Sequence, residues 1–268
     1  MIKLSLNEKQ MFLDGHIKNR IKNTDSIRFL NWNIRNPSLQ RAVKQTEWLN
    51  KNNFDVIVLT EVKLSEGCLY IRDRLSSLGY TTIITEPRED YGVILAIKDH
   101  LKEISRVSVN YLSHRVSCAV CDFLGNNVLI TGVYMPVWRD EKKKRFLDAF
   151  EELLKNENLK FDSWIILGDM NLLEPDHFPQ YSEYKDWEYF YNVFGKYGFV
   201  DAFRHFHPKE REYSWFGRKG NGYRFDHIFV SKNLLPLIKD CFYIHEPRIK
   251  KLSDHSAMCF EIEKVGRA

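Results

Sequence analysis

SWIILGDMNLLEP, residues 163–175, runs from four apolar residues, Trp164 to Leu167, through a glycine into Asp169, Met170 and Asn171. A short apolar run of this kind reads as a strand buried on both faces. Residues two apart on an extended chain point to the same side, so Asp169 and Asn171 are expected to project together. Two polar groups at the mouth of a buried strand are either a turn or a site. Gly, Asp and Asn are common turn residues, because their backbones or short polar side chains suit tight reversals. The stretch alone leaves both readings open.

Similar polar positions recur elsewhere. FLNWNI (29–34) carries Asn31 and Asn33 two apart within an apolar run; DVIVLTEVK (55–63) is apolar through Leu59 and ends in Glu61 and Lys63, again two apart; LITGVYMP (129–136) ends in Tyr134 before a proline. One such ending is a turn. Four buried strands that each deliver polar side chains would gather Asn, Glu, Tyr and Asp at one edge of a sheet. In GYRFDHIFVS (222–231), alternation assigns Arg224, Asp226, Ile228 and Val230 to one face and Tyr223, Phe225, His227 and Phe229 to the other. Asp226 thus lies on an apolar face, where a carboxylate needs a charged or hydrogen-bonding partner. A backbone hydrogen bond is one such partner. His255, in the loop of KKLSDHSAMCFEIE (250–263), is another, since a buried Asp fixes the tautomer of a His and favours the imidazolium.

The 268 residues fit one large domain, and 44% hydrophobic content provides for a sizeable core. A net charge of +4 permits an anionic partner without requiring one. Cys68, Cys118, Cys121, Cys241 and Cys259 are odd in number and irregular in spacing. Cys118 and Cys121 fall in a strand-like stretch, RVSCAVCDFLG (115–125), where the two thiols face opposite ways, so a zinc site is not expected. Buried free thiols, an N-terminus without an apolar signal core and no apolar run of membrane-spanning length predict a soluble, cytoplasmic protein that does not associate with membranes.

Residues 1–26 are polar and basic, with HIKNRIKN near their end, and read as an N-terminal extension; 27–268 read as one domain. Helices are expected at QRAVKQTEWLNKNN (40–53), with Ala42, Val43, Trp48 and Leu49 near one face, at DEKKKRFLDAFEELLKNE (140–157), with Phe146, Leu147, Phe150, Leu153 and Leu154 in register, and at KDWEYFYNVFGKYG (185–198), ended by Gly198. Many strands with a few outer helices predict an α/β architecture of two packed sheets flanked by helices. Asn33, Glu61, Asp169, Asn171 and Asp254 are hard oxygen donors, which suit Mg²⁺ or Mn²⁺ rather than zinc. Carboxylates, amides and a His around such an ion suit hydrolysis of a phosphate ester.

Taken in order, WN (32–33), TEVK (60–63), VYMP (133–136), GDMN (168–171), YRFDHIFVS (223–231) and SDH (253–255) resemble the endonuclease/exonuclease/phosphatase superfamily over nearly the whole chain. YGVILAIK (91–98), YGFVDAFRHFHP (197–208) and YSWF (213–216) are similar to its exonuclease III and AP-endonuclease branch. The resemblance implies a four-layer, deoxyribonuclease I-like sandwich of two mixed sheets with helices outside, and a Mg²⁺- or Mn²⁺-dependent nuclease acting on nucleic acid, DNA first, in repair. It implies metal binding by Glu61 with Asn33 and Asp254, and catalytic roles for Asp169, Asn171, Tyr134 and the Asp226–His255 pair. Trp215 and Phe216, which either stack on a base or fill the core, are candidate substrate contacts with Lys63, Arg218, Lys219 and Arg224. Further basic clusters, Lys142 to Arg145 and Lys250–Lys251, are candidate phosphate tracks or solvated faces. Arg35 and Val137 depart from the branch, which has Asn or Asp and Asn or Gln there, and the GRKGNG segment (217–222) is shorter than its counterpart. A phosphatase or phosphodiesterase of the same fold, acting on another phosphate ester, is the alternative.

Overall fold

The computed structural model describes residues 26–87, 90–107, 109–123, 125–156 and 158–263. The expected basic extension therefore lies outside the described residues, except for Ser26, which opens the first strand.

Strands are numbered along the chain. One six-stranded sheet comprises β1 (Ser26–Asn33), β2 (Val56–Val62), β3 (Tyr80–Ile84), β4 (Gly92–Lys98), β13 (Ile238–Ile244) and β14 (Ala257–Glu263), in the order β13-β14-β1-β2-β4-β3. The second comprises β5 (Lys102–Val107), β6 (Val116–Phe123), β7 (Asn126–Tyr134), β8 (Ser163–Asp169), β9 (Phe199–Asp201) and β12 (Asp226–Ser231), in the order β5-β6-β7-β8-β12-β9. A short hairpin joins β10 (Trp215–Phe216) to β11 (Gly222–Tyr223). Each large sheet has one parallel pair near its centre, β1 with β2 and β7 with β8; its other pairs are antiparallel.

Alternation explains the layers. Ile27 and Phe29 of β1, Val56 and Val58 of β2, Val128 and Ile130 of β7, Ile165 and Leu167 of β8 and Ile228 and Val230 of β12 share one core between the sheets. The intervening residues Leu30, Trp32, Ile57 and Leu59 pack outward, in one cluster with Trp48 and Leu49 of the helix Leu39–Asn52 and Ile71 and Leu75 of the helix Glu66–Ser77. On the other side, Leu129, Trp164, Ile166 and Phe229 meet Phe146 and Phe150 of the helix Glu141–Leu154 and Phe190 and Phe194 of the helix Glu188–Lys196. Each such side chain removed from water contributes about 1.5–3 kcal/mol, so three apolar interfaces hold four layers together. Cys118 faces the outer cluster and Cys121 the inner one, as strand alternation requires, and all five cysteines are buried and outside any disulfide. Gly198, with φ +82°, ends the segment after Glu188–Lys196 where a side chain would be strained.

The helix face at 39–52 differs in detail. Val43 is half-buried while Gln45 is fully buried, because its amide nitrogen donates to the carbonyls of Ile34 and Leu252 and ties the loops after β1 and before β14 to the helix. No helix among the described residues is long and apolar enough to cross a membrane.

Candidate active site

The inner faces that form the core turn polar at one end of the sandwich. On β1, the alternation Ile27, Phe29 continues into Asn31 and Asn33; on β8, Ile165 and Leu167 lead to Asp169; on β7, Ile130 leads past Gly132 to Tyr134; on β12, Val230 and Ile228 lead back to Asp226. In the parallel pairs, Asn33 stands beside Thr60 and Tyr134 beside Asp169, while Asp226 stands opposite Asp169 across an antiparallel pair. The same two-residue period that builds the core thus delivers these groups to one edge.

They touch one another. Asn33 donates from Nδ2 to Asp169 Oδ2 at 2.9 Å. Asn31 donates to Asp226 Oδ1 at 3.3 Å, and Asp226 Oδ2 lies 2.8 Å from His255 Nδ1. Tyr134 donates its hydroxyl to Glu61 Oε1 at 3.3 Å. The loop carrying His255 is fastened to β1 and the hairpin: Ser253 donates to the carbonyl of Asn33, Trp32 Nε1 to the carbonyl of His255, and Ser256 N to the carbonyl of Ser214. Ser214 Oγ also accepts from Phe225 N and Asp226 N, fixing the start of β12.

Two alignments differ from the extended-chain expectation. After Asp169 the chain leaves the strand: Asp169 Oδ1 accepts from the backbone N of Asn171 at 3.0 Å, and Asn171 takes a left-handed φ of +46°. This is an Asx turn, so the stretch is a turn and a site wall at once. Its approach requires Gly168, where a Cβ would sit 1.8 Å from the carbonyl oxygen of Val133. Glu61 and Lys63 do not share a regular strand face either. The ladder with β4 shifts between Thr60 and Val62, and Glu61, at φ +55°, occupies the bulge, which re-aims its side chain toward Tyr134.

The electrostatics are unbalanced. Burial is the main cause that pushes the Asp169 carboxyl up to about 7, with the Asp226 and Glu61 carboxylates adding to it and His255 opposing. Burial lowers His255, but the Asp226 carboxylate and its hydrogen bond, with Asp169 and Asp254, outweigh it and raise the imidazole to about 9. Burial and the carboxylates of Glu61 and Asp169 hold the Tyr134 phenol well above its ordinary value. Ligating atoms of Asp169, Asp226 and His255 lie within 4.8 Å of one another. Within that trio Nδ1 of His255 is already engaged by Asp226 Oδ2. The other oxygen donors are of the kind a hard divalent cation prefers. Glu61 is half-buried and Asp254 half-exposed, Asn33 lies between Asp169 and Arg35, all offer oxygens, and Asn31 Oδ1 is buried without a partner beside the excess negative charge.

Asp254 adjoins this centre rather than sitting within it. It accepts from Trp215 Nε1 at 3.3 Å and lies 3.6 Å from Arg35 Nε. Trp215, half-buried, packs its ring against Tyr223, Phe225 and His255. Phe216 is exposed under Arg248, and Arg218 and Lys219 are exposed at the hairpin tip. Lys63 stands over the ring of Tyr91, which contacts Tyr134 edge-on.

Arg224 is a correction: it cannot meet a substrate. It is fully buried, with Nη2 2.6 Å from Glu174 Oε2 and 2.8 Å from Asp201 Oδ2. The strand is interrupted at residues 224–225, between β11 and β12, so alternation does not carry through and Arg224 converges with His227 on Asp201 instead of joining Asp226. Lys143 is a second correction. Its neighbours Lys142, Lys144 and Arg145 are exposed, whereas Lys143 is fully buried and donates to the carbonyl of Asn171 at 2.8 Å. Its position was legible: 143, 146, 147 and 150 share one helical face. Asn31, Ser214 and Ser253 complete the supporting shell. Asn31 is signalled by its two-residue spacing from Asn33, and the two serines lie within the YSWF and SDH motifs.

Known proteins share this fold. The chain aligns with exodeoxyribonuclease III of Haemophilus influenzae at 24% identity, over 88% of this chain and all of that one. The solved 3′-5′ exonuclease NExo of Neisseria meningitidis superposes with a TM-score of 0.75 at 22% identity, covering 88% of this chain and 100% of that one. An AP endonuclease from Archaeoglobus fulgidus gives 0.75 at 21%, covering 89% and 100%. These neighbours share the four-layer fold. Residues 30–255 match the Endonuclease/Exonuclease/phosphatase family, and the chain belongs to that family.

Proposed function

We propose that this chain is a Mg²⁺- or Mn²⁺-dependent nuclease that hydrolyses phosphodiester bonds in DNA, of the exonuclease III and AP-endonuclease type, acting in DNA repair in the cytoplasm, with residues 27–268 as its catalytic domain. The observation that carries the reading is the convergence of Asp169, the Asp226–His255 pair and the Tyr134–Glu61 contact at one edge of the inner faces. The names of the relatives, an exodeoxyribonuclease and an AP endonuclease, supply the substrate class. Five buried cysteines without a disulfide fit a reducing compartment.

In this reading His255, held charged by Asp226, offers its Nε2, which has no hydrogen-bond partner among the described residues, to a phosphate oxygen. It stabilises the charge that develops there. Asp169, poised near neutrality, takes the proton of the attacking water, and Asn33 holds the carboxylate in position. Asn171 anchors its side-chain nitrogen on the carbonyl of Met135, which leaves its Oδ1 to accept from the attacking water. Tyr134 hydrogen-bonds the phosphate or the leaving oxygen. Glu61, with Asn33 and Asp254, would hold the cation, which when bound neutralises phosphate charge as a Lewis acid. Trp215 and Phe216 offer rings to a base at the lip, and Arg218, Lys219 and Lys63 offer cations to the backbone.

Incubation with end-labelled duplex, nicked, abasic, 3′-phosphorylated and single-stranded oligonucleotides, with Mg²⁺ or with EDTA, tests this. Cleavage of at least one DNA substrate that EDTA abolishes is expected. Full cleavage in EDTA, or hydrolysis of soluble inositol phosphates or sphingomyelin in place of DNA, would overturn it.

A further inference from the structure

Lys143 lies in the first turn of the helix Glu141–Leu154 yet is completely buried. Its Nζ donates to the carbonyl of Asn171 at 2.8 Å and stands 5.4 Å from the centre of the Trp187 ring. A buried amine is costly, and an apolar side chain would fill this helix face at lower cost. The neighbouring cations Lys142, Lys144 and Arg145 all remain in solvent. The carbonyl that Lys143 holds belongs to Asn171 in the left-handed region, which asparagine tolerates better than other non-glycine residues but which still needs partners to hold it in one place. The turn itself supplies Asn171 N on Asp169 Oδ1, Asn171 Nδ2 on the Met135 carbonyl and Met170 N on the Phe225 carbonyl, and from β12 His227 Nε2 reaches the Leu172 carbonyl. Among the described residues, Lys143 is the one side chain of the outer helices that hydrogen-bonds the turn.

Building on the proposed nuclease reading, we infer that Lys143 is a positioning residue: its Nζ pins the Asn171 carbonyl and so holds Asp169 and Asn171 in reacting geometry. It touches neither substrate nor cation. Releasing the carbonyl frees the 170–172 backbone to relax toward ordinary dihedrals. A shift of about 1 Å in a reacting group is enough to cost roughly a hundredfold in rate.

The test is Lys143→Met, which keeps the length and apolar stem but has no donor. Turnover should fall about 10- to 100-fold with KM changed less than about threefold. Amide exchange should accelerate at residues 170–172 while the central strands keep their protection. Lys143→Arg, which restores a donor, should recover most of the turnover. Wild-type turnover and unchanged exchange in Lys143→Met would overturn the inference. If Lys143→Met loses more than about 10 °C in melting temperature, Lys143→Arg decides. A folded Arg variant near wild-type turnover supports pinning, and a folded but crippled one overturns it. Exchange at 170–172 reads the pinning without any substrate. A protein that cleaves no substrate would therefore sink the nuclease reading separately.

Discussion

Asp226 and His227 are neighbours on β12, and each belongs to a buried Asp–His pair. They point to opposite faces and form opposite environments. Asp226 meets His255 at 2.8 Å on the inner face; His227 meets Asp201 at 3.1 Å on the outer one. Around Asp201 the charges close on themselves. Two carboxylates, Glu174 and Asp201, face two guanidiniums, Arg204 and Arg224, and Tyr191 donates to Asp201 as well. Both ring nitrogens of His227 are engaged, the second by the carbonyl of Leu172. Although burial opposes it, Arg224 and His227 draw the Asp201 carboxyl far below its ordinary range, and Arg204 and Arg224 hold Glu174 down to about 2. Around Asp226 the carboxylates of Asp169, Glu61 and Asp254 outnumber the cations, and Asp169 is pushed up to about 7 instead. The same residue pair is closed off where countercharges are built in around Asp201, and left with uncompensated negative charge around Asp226, where a cation would balance it.

The largest expected effect that sharpens this contrast is on the rate. Asp169→Asn removes a base and a charge, and should lower turnover about 10²- to 10⁴-fold. DNA affinity should stay near wild type, because the exposed basic residues are untouched. Near-normal turnover would mean that GDMN serves only as a turn. The mirror-image variant, Asp201→Asn, leaves Arg224 buried with one carboxylate fewer. It should cost about 3–5 kcal/mol of stability by denaturant unfolding, while turnover per folded molecule stays within a few-fold of wild type. A collapse in turnover without a loss of stability would erase the distinction between the two clusters.

The pH dependence of metal binding is a smaller effect. In the folded protein Asp169 keeps its proton up to about 7 against 3.8 for an ordinary Asp, so between those values the folded state binds more protons than the unfolded one and stability falls as pH rises. His255, raised from 6.5 to about 9, contributes stability that is full below 6.5 and lost as pH rises through 9. Glu174 and Asp201 run the other way, and their contribution is lost only as pH falls below about 4.5. A deprotonated Asp169, held by Asn33, adds negative charge beside the oxygens proposed to hold Mg²⁺ and so favours the cation. The rise in melting temperature on adding Mg²⁺ should therefore be a few degrees larger at pH 8.5 than at pH 5.5; calorimetry giving equal shifts would contradict the charge imbalance. The smallest effect belongs to the hairpin tip: replacing Arg218 and Lys219 together by Ala should weaken DNA binding about two- to tenfold, reduce its salt dependence and spare the rate of bound substrate.

Much of this was legible in the residue pattern. Strand alternation in FLNWNI, SWIILGD and VSCAVCD gave the two-sided burial, and polar residues on the faces of FLNWNI and SWIILGD marked the edge where these groups converge. Alternation failed wherever the backbone departs from a regular strand. The bulge at Glu61, the Asx turn at Asn171 and the break at residues 224–225 each reset the count, and the break concealed that Arg224 belongs with Asp201. Lys143 was hidden differently: its charge suggested solvent while its helical phase with Phe146, Leu147 and Phe150 pointed inward. The partners of Glu174, from Arg204 to Arg224, are set by tertiary packing over 30 to 50 residues, which no local pattern carries.

The most direct measurement is turnover and melting temperature on one preparation of Asp226→Asn, in Mg²⁺ with a labelled DNA duplex. An amide in place of the carboxylate keeps the shape but no longer favours the His255 imidazolium. The expected result is a loss of about 10³- to 10⁴-fold in turnover with a melting temperature within a few degrees of wild type. Turnover within tenfold of wild type, or unfolding with turnover per folded molecule preserved, would show that Asp226–His255 is a clamp like Asp201–His227 and contradict the account.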